Sequence, residues 1–125
     1  MSGGIIMSTY KHDIIRLTTE FKQCQKILCA LGDANRQHLI IEMMKIDDCY
    51  GVRVGTIAKK TNLSRSSVFH HIRILKEAGI IKMRREGTKN YYYFDADMQS
   101  LDDLITMLEH VKSIMKLLPD RTLEK

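Results

Sequence analysis

Ser64-Arg-Ser-Ser-Val-Phe-His-His-Ile-Arg-Ile-Leu-Lys-Glu-Ala78 is the stretch on which the fold turns. Ser64 is placed to cap a helix, its hydroxyl accepting from a free N–H of the first turn. Val68, Ile72 and Leu75 then recur at i, i+4 and i+7, the spacing of one buried helical stripe. With that stripe inward, Arg65, Ser66, Phe69, His70 and Arg73 are left facing outward. Gly79 terminates the helix. Upstream, Val52–Thr61 reads as a shorter helix that buries Val54, Ile57 and Ala58, and Asn62 supplies the turn between them. Two short helices joined by a tight turn, the second studded with polar groups, match a helix-turn-helix that reads duplex DNA.

Beyond Gly79 the pattern changes from helical to strand-like. Ile80, Ile81 and Met83 precede Arg84-Arg-Glu-Gly-Thr-Lys89, and Asn90-Tyr-Tyr-Tyr-Phe94 follows. A glycine-containing polar turn between β-prone runs predicts a hairpin, here with a basic tip. On the other side, residues 1–10 read as a flexible tail. From Lys11 to Leu31, Ile14, Leu17, Phe21, Cys24, Leu28 and Leu31 alternate at three and four, which predicts one helix with a narrow apolar seam. Gly32 stops it, and Asp33 is placed to cap a helix over Ala34–Lys45 that buries Leu39, Ile40 and Met43 or Met44.

The last helix is expected from about Met98 to Leu118, ending at Pro119 and leaving 119–125 as a second tail. Leu101, Leu104, Leu108, Val111, Met115 and Leu118 form its seam. The fold class is therefore mainly α with a small β-hairpin, in one domain over residues 11–118. Seams at both ends of a chain with room for one core are best buried against a second copy. Ile14, Leu17, Phe21, Leu101, Leu104, Leu108, Val111 and Met115 are the candidate homodimer interface.

Charge is unevenly placed. Between Gly51 and Phe94 stand ten basic and two acidic residues, a local net of +8, whereas the remainder carries ten basic and thirteen acidic, a net of −3. That split is the electrostatic footprint of a nucleic-acid-binding face. Arg65, Ser66, Phe69 and His70 are candidates for base reading: arginine pairs bidentately with guanine, serine donates or accepts, and phenylalanine meets a thymine methyl. Lys59, Lys60, Ser64, Ser67, His71, Arg73, Arg84, Arg85 and Lys89 are candidates for contact with the DNA backbone, the last three through the hairpin; His71 sits one step round, where a hydrogen bond within the fold is the alternative.

Other function classes find little support. There is no nucleotide-binding glycine loop, metalloprotease motif or Ser/His/Asp set on facing elements, so an enzyme is not expected and no cofactor is implied. No apolar run approaches the roughly 18 residues that cross a bilayer. The opening residues carry no export signal, and three cysteines without a Cys-x-x-Cys pair fit reduced thiols in the cytoplasm. Cys24 and Cys29 are five residues apart, about 500° around a continuous helix, so they point in different directions. Two readings stay open beside DNA binding by a regulator with no metal site. One is a metalloid- or thiol-redox-responsive repressor using Cys24, Cys29 and Cys49; the other is a related module for protein association.

Leu31-Gly-Asp-Ala-Asn-Arg36, the Leu63–Ile81 segment and the Arg84-Arg-Glu-Gly87 turn with its tyrosine-rich strand resemble ArsR-type winged helix-turn-helix repressors, from about Lys11 to Leu118. The resemblance implies a homodimer built on the first and last helices. It implies binding to an inverted-repeat operator and repression until an inducer arrives, with Arg65, Ser66, Phe69 and His70 at the base-reading positions. Phe69 departs from the small polar residue often found there. The metal-site patterns of the family are not matched. Val52-Arg-Val-Gly-Thr56 holds no cysteine, Asp103 is followed two residues later by Ile105, and the last helix has only His110. His12, His38 and His110 could form a metal site outside those patterns, but lone histidines are more often solvated or structurally bonded, and no inducer is legible.

Overall fold

Ser64 lies in extended backbone and its Oγ accepts from the Ser67 N–H at 3.2 Å, so the cap predicted from sequence starts the central helix. At the other end Gly79 takes φ 78°, the left-handed conformation open to glycine. The Ile80 N–H then reaches the Leu75 carbonyl and the Gly79 N–H reaches that of Lys76, both at 3.0 Å. This pair of bonds satisfies carbonyls that the helix end would otherwise orphan. The computed structural model describes residues 2–46, 48 and 50–119, with side chains from residue 11. In chain order it contains α1 (Ser2–Gln23), α2 (Gln25–Leu31), α3 (Ala34–Lys45), α4 (Val54–Thr61), α5 (Arg65–Glu77), β1 (Ile81–Glu86), β2 (Lys89–Phe94) and α6 (Gln99–Leu117).

The single helix expected over Lys11–Leu31 is two. α1 begins at Ser2, within the stretch read as a tail, and the chain bends at Cys24, where φ is −95° and ψ 5°. The bend lets α2 turn Ile27 and Ala30 into the core against α5 while α1 runs along α6. α3 is capped as expected, Asp33 Oδ1 accepting from the Arg36 N–H at 3.0 Å. It buries Leu39, Ile40 and Met43 and leaves Met44 exposed. α4 starts two residues later than expected, because Val52 is taken by the sheet: it exchanges N–H···O bonds of 2.7 and 2.8 Å with Tyr92. Asn62 closes α4 in the left-handed conformation, the turn predicted for it.

The hairpin is longer than its sequence suggests. β1 and β2 pair antiparallel from Ile81↔Phe94 to Glu86↔Lys89, so Arg84 and Arg85 belong to a strand and only Gly87 and Thr88 form the tip. The core lies where α2, α3, α4 and α5 meet the hairpin root and α6; Leu39, Ile57, Val68, Leu75 and Met107 are fully buried. Among the described residues no helix is long and apolar enough to cross a membrane. The tail expected at 119–125 lies, beyond Pro119, outside the described residues.

α6 carries two apolar stripes rather than one seam. Leu104, Met107 and Ile114 are buried within the protomer, and Leu101 packs against its core. Leu104, expected at a dimer interface, is 8% exposed and belongs to the protomer's own interior. Ile105, Leu108 and Met115 form the second stripe, continued by Leu118 at the extended C-cap, and all four are exposed. Ile14 and Phe21 on α1 are also exposed, whereas Leu17 packs against the core and Val111 is half-buried. α1 is held to α6 by His110, whose Nδ1 lies 2.7 Å from Glu20 Oε2.

Candidate nucleic-acid interface

The face opposite the α5 core stripe presents Arg65, Ser66, Phe69, His70 and Arg73, all exposed. Phe69 is 49% exposed, a large apolar ring left in water at the centre of a polar surface. Clefts open on two sides of it. One, of about 420 Å³, lies between the starts of α4 and α5 and the hairpin, lined by Arg53, Thr56, Lys59, Arg65, Phe69, Thr88 and Asn90. The other, of about 470 Å³, is lined by Ser66, Phe69, His70, Arg73, Lys76 and Tyr92. Four basic side chains besides Arg65 thus flank the ring, and among the described residues no acid lines either cleft.

Local structure places these groups. The Ser64 hydroxyl lies 3.2 Å from that of Ser66 and donates to that of Ser67 at 3.0 Å, which ties the first turn of α5 together. Arg65 lies back against α4: a Cβ added at Gly55 would meet its Nη2 at 2.8 Å. Gly55 therefore leaves the room the guanidinium occupies. Lys59 and Lys60 are exposed at the end of α4, and Arg85 and Lys89 are exposed on the hairpin. Asn90 Oδ1 is buried without a hydrogen-bond partner beside the first cleft.

Two expected DNA contacts are placed elsewhere. His71 is 8% exposed and faces inward, its Nδ1 lying 3.4 Å from Nη1 of the buried Arg36. One residue step advances a helix by about 100°, which carries His71 past the outer face and onto the core side. Arg84 is drawn toward Tyr50 and Tyr91 at the hairpin root. Conversely, Arg53 and Lys76 line the clefts although neither is among the residues expected there; a basic residue directly before α4 is the available signal for Arg53.

Burial pushes the His71 imidazole below its ordinary value of 6.5; Asp33 pulls it upward as the next influence, and the neighbouring Arg36 and His70 charges add smaller downward pushes. Its Nδ1 accepts from Arg36, so the folded state favours the neutral ring. Below about pH 6.5 the unfolded chain therefore takes up a proton that the folded chain resists, and stability falls with falling pH. The loss is at most about 1.4 kcal/mol per pH unit, the value for one proton. His71→Asn, which keeps an acceptor near Nδ1, should remove this component in urea melts between pH 7.5 and 5.5. Parallel curves for the two proteins would rule it out.

Among the described residues no three His, Cys, Asp or Glu side chains are grouped so as to hold a metal ion. Cys24 is buried and Cys29 exposed, both as free thiols, while Cys49 lies outside the described residues. Burial, with Asp103 and Glu20 nearby, pushes the Cys24 thiol above its ordinary value, which disfavours the thiolate.

Residues 52–83, which cover all of α4 and α5 and the start of β1, match the family model described as bacterial regulatory protein, arsR family. An uncharacterized HTH-type transcriptional regulator of Methanocaldococcus jannaschii is 31% identical over 101 residues, covering 81% of this chain and 97% of that protein. The transcriptional repressor SdpR of Bacillus subtilis is 32% identical over 79 residues, covering 63% and 81%. Among solved structures, an ArsR family transcriptional regulator superposes with a TM-score of 0.63 at 17% identity, covering 78% of this chain and 95% of that one. A homodimeric winged helix-turn-helix DNA-binding domain from Mycobacterium bovis gives 0.57 at 19% identity, covering 79% and 88%.

Proposed function

Because the chain belongs to the ArsR family of bacterial regulatory proteins, which are DNA-binding transcriptional regulators, we propose that it acts as a homodimer that represses from an inverted-repeat operator. Two α5 helices, one per protomer, enter successive major grooves. Arg65, Ser66, Phe69 and His70 meet base edges there. Lys59, Lys60, Ser64, Ser67, Arg73, Arg85 and Lys89 hold phosphates. One observation carries this reading: an exposed aromatic ring on the outer face of α5, flanked by two clefts whose charged lining is wholly basic. A major groove offers both a thymine methyl for such a ring and phosphates for the cations. Repression is supported by SdpR, a repressor by name, and the dimer by the homodimeric Mycobacterium bovis domain.

The test is selection of bound sequences from a random duplex pool. The proposal expects an enriched inverted repeat with half-sites about one helical turn apart; enrichment of no sequence, or of a single half-site, would count against it. On the selected site, Arg65→Ala and His70→Ala should each cost about 1–3 kcal/mol while leaving scrambled duplex almost unaffected. Competition binding with both duplexes reads this directly. Equal losses on both would move those side chains from base reading to backbone contact.

A further inference from the structure

Arg84 stands apart from Arg85 and Lys89, the two cations nearest the hairpin tip, as does Lys82, which pairs with Asp95 at the hairpin root. The Arg84 Cζ lies 5.4 Å from the ring centroids of both Tyr50 and Tyr91. Its Nη2 donates to the Tyr50 carbonyl and its Nε donates to Glu86 Oε1 at 3.1 Å. Tyr91 is its cross-strand partner, and Tyr50 belongs to the segment that joins the sheet through the Val52–Tyr92 bridge. Its charge is thus offset by Glu86, and two of its donor nitrogens are engaged within the chain. Among the described residues Arg85 by contrast donates only to the nearby Gly87 carbonyl, and Lys89 is exposed. A planar guanidinium suits both stacking on aromatic rings and forked donation, which an ammonium cannot combine.

We infer that Arg84 is a positioning residue: its guanidinium fastens the hairpin to the Tyr50–Arg53 segment and so sets the angle at which Arg85 and Lys89 meet DNA, without neutralising a phosphate itself. This rests on the DNA-binding reading given above. It gives the hairpin two kinds of cation with different measurable signatures, since a phosphate contact contributes to the salt dependence of binding and an internal clamp does not.

Three full-length variants, Arg84→Met, Arg84→Lys and Arg85→Gln, separate the two. Each is titrated with random-sequence duplex over a series of salt concentrations, and amide exchange is followed at Val52 and Tyr92. Arg84→Met should weaken binding at every salt concentration, because a released hairpin must be ordered on the DNA, yet leave the slope of log affinity against log salt unchanged, while Arg85→Gln makes it shallower by about 0.9 for each phosphate no longer neutralised. Exchange at Val52 and Tyr92 should quicken roughly tenfold in Arg84→Met, and nearly as much in Arg84→Lys, because the fork and not the charge holds the clamp. Tyr91→Leu, which alters no charge, should quicken the same amides. A slope in Arg84→Met reduced as far as in Arg85→Gln, or exchange at the wild-type rate in Arg84→Met, would overturn the inference. Should Arg85→Gln also leave the slope untouched, the DNA contact of the hairpin fails, while the exchange rates still decide whether Arg84 clamps it.

Discussion

Replacing Arg36 by alanine is expected to destabilise the protein by about 3 kcal/mol, the cost of losing two charge-assisted hydrogen bonds at a largely buried site. Arg36 is 7% exposed on α3, yet its side chain reaches across the α2–α3 corner. Nε donates to the Ala30 carbonyl at 2.8 Å and Nη2 to that of Cys29 at 2.9 Å. Both carbonyls belong to the last turn of α2, where a helix leaves acceptors without partners and carries partial negative charge. The guanidinium therefore neutralises a helix end and joins it to α5 through His71. Alanine would leave the Ala30 acceptor buried and open a cavity behind His71. Arg36→Lys should recover less than half, because one ammonium does not reproduce a fork aimed at two carbonyls and a ring. Urea melts at matched protein concentration decide it, since melting of a dimer depends on concentration. A loss below about 1 kcal/mol in Arg36→Ala would show that water replaces the guanidinium cheaply.

Arg36 also marks a limit of reading from sequence. Ser64, Asp33, Asn62 and Gly79 are legible because a cap or turn depends on residues within a few positions. The outward set on α5 is legible because Val68, Ile72 and Leu75 define a stripe and the helical period does the rest. Nothing within a few positions of Arg36 announces that it is buried, because its acceptors come from the preceding helix and its third partner lies 35 residues away. His71 stands between the two cases: at i+3 from Val68 and i−4 from Leu75 it falls beside the buried stripe, and of the two roles open to it, phosphate contact and a bond within the fold, the structure shows the second.

The hairpin and α6 show a different failure. Glycine in Arg84-Arg-Glu-Gly-Thr-Lys89 signals a turn but does not say how far pairing continues, and the register brings Arg84 opposite Tyr91 within the ladder. On α6, averaging Leu101 to Leu118 into one seam merges residues that the protomer's own core covers with residues it leaves exposed. Leu104 and Met107 are covered by the protomer, while Leu108, one turn beyond Leu104, is not.

That separation sharpens the second large effect. Leu108→Glu is expected to split the homodimer and to weaken operator binding by about 10²–10⁴-fold, the loss that follows when two linked half-site contacts become independent. Leu108 is 49% exposed in the protomer and Met115 is 64%, with Ile105 and Leu118 on the same stripe. A row of large apolar side chains this continuous costs free energy in water and marks an association surface. On the reading proposed above the occupant is a second copy, because an inverted repeat would need two recognition helices at a fixed separation. A glutamate at Leu108 would bury a charge in that interface but stand in solvent in the monomer, so helical content should be preserved. Leu104→Glu is the contrast: that side chain is 8% exposed, and its replacement should unfold the protomer itself. Sedimentation velocity gives the assembly, circular dichroism the fold and operator titration the affinity. A Leu108→Glu protein that sediments as wild type would remove the outer stripe of α6 from the interface. One that becomes monomeric yet binds the operator undiminished would show that a single recognition helix suffices.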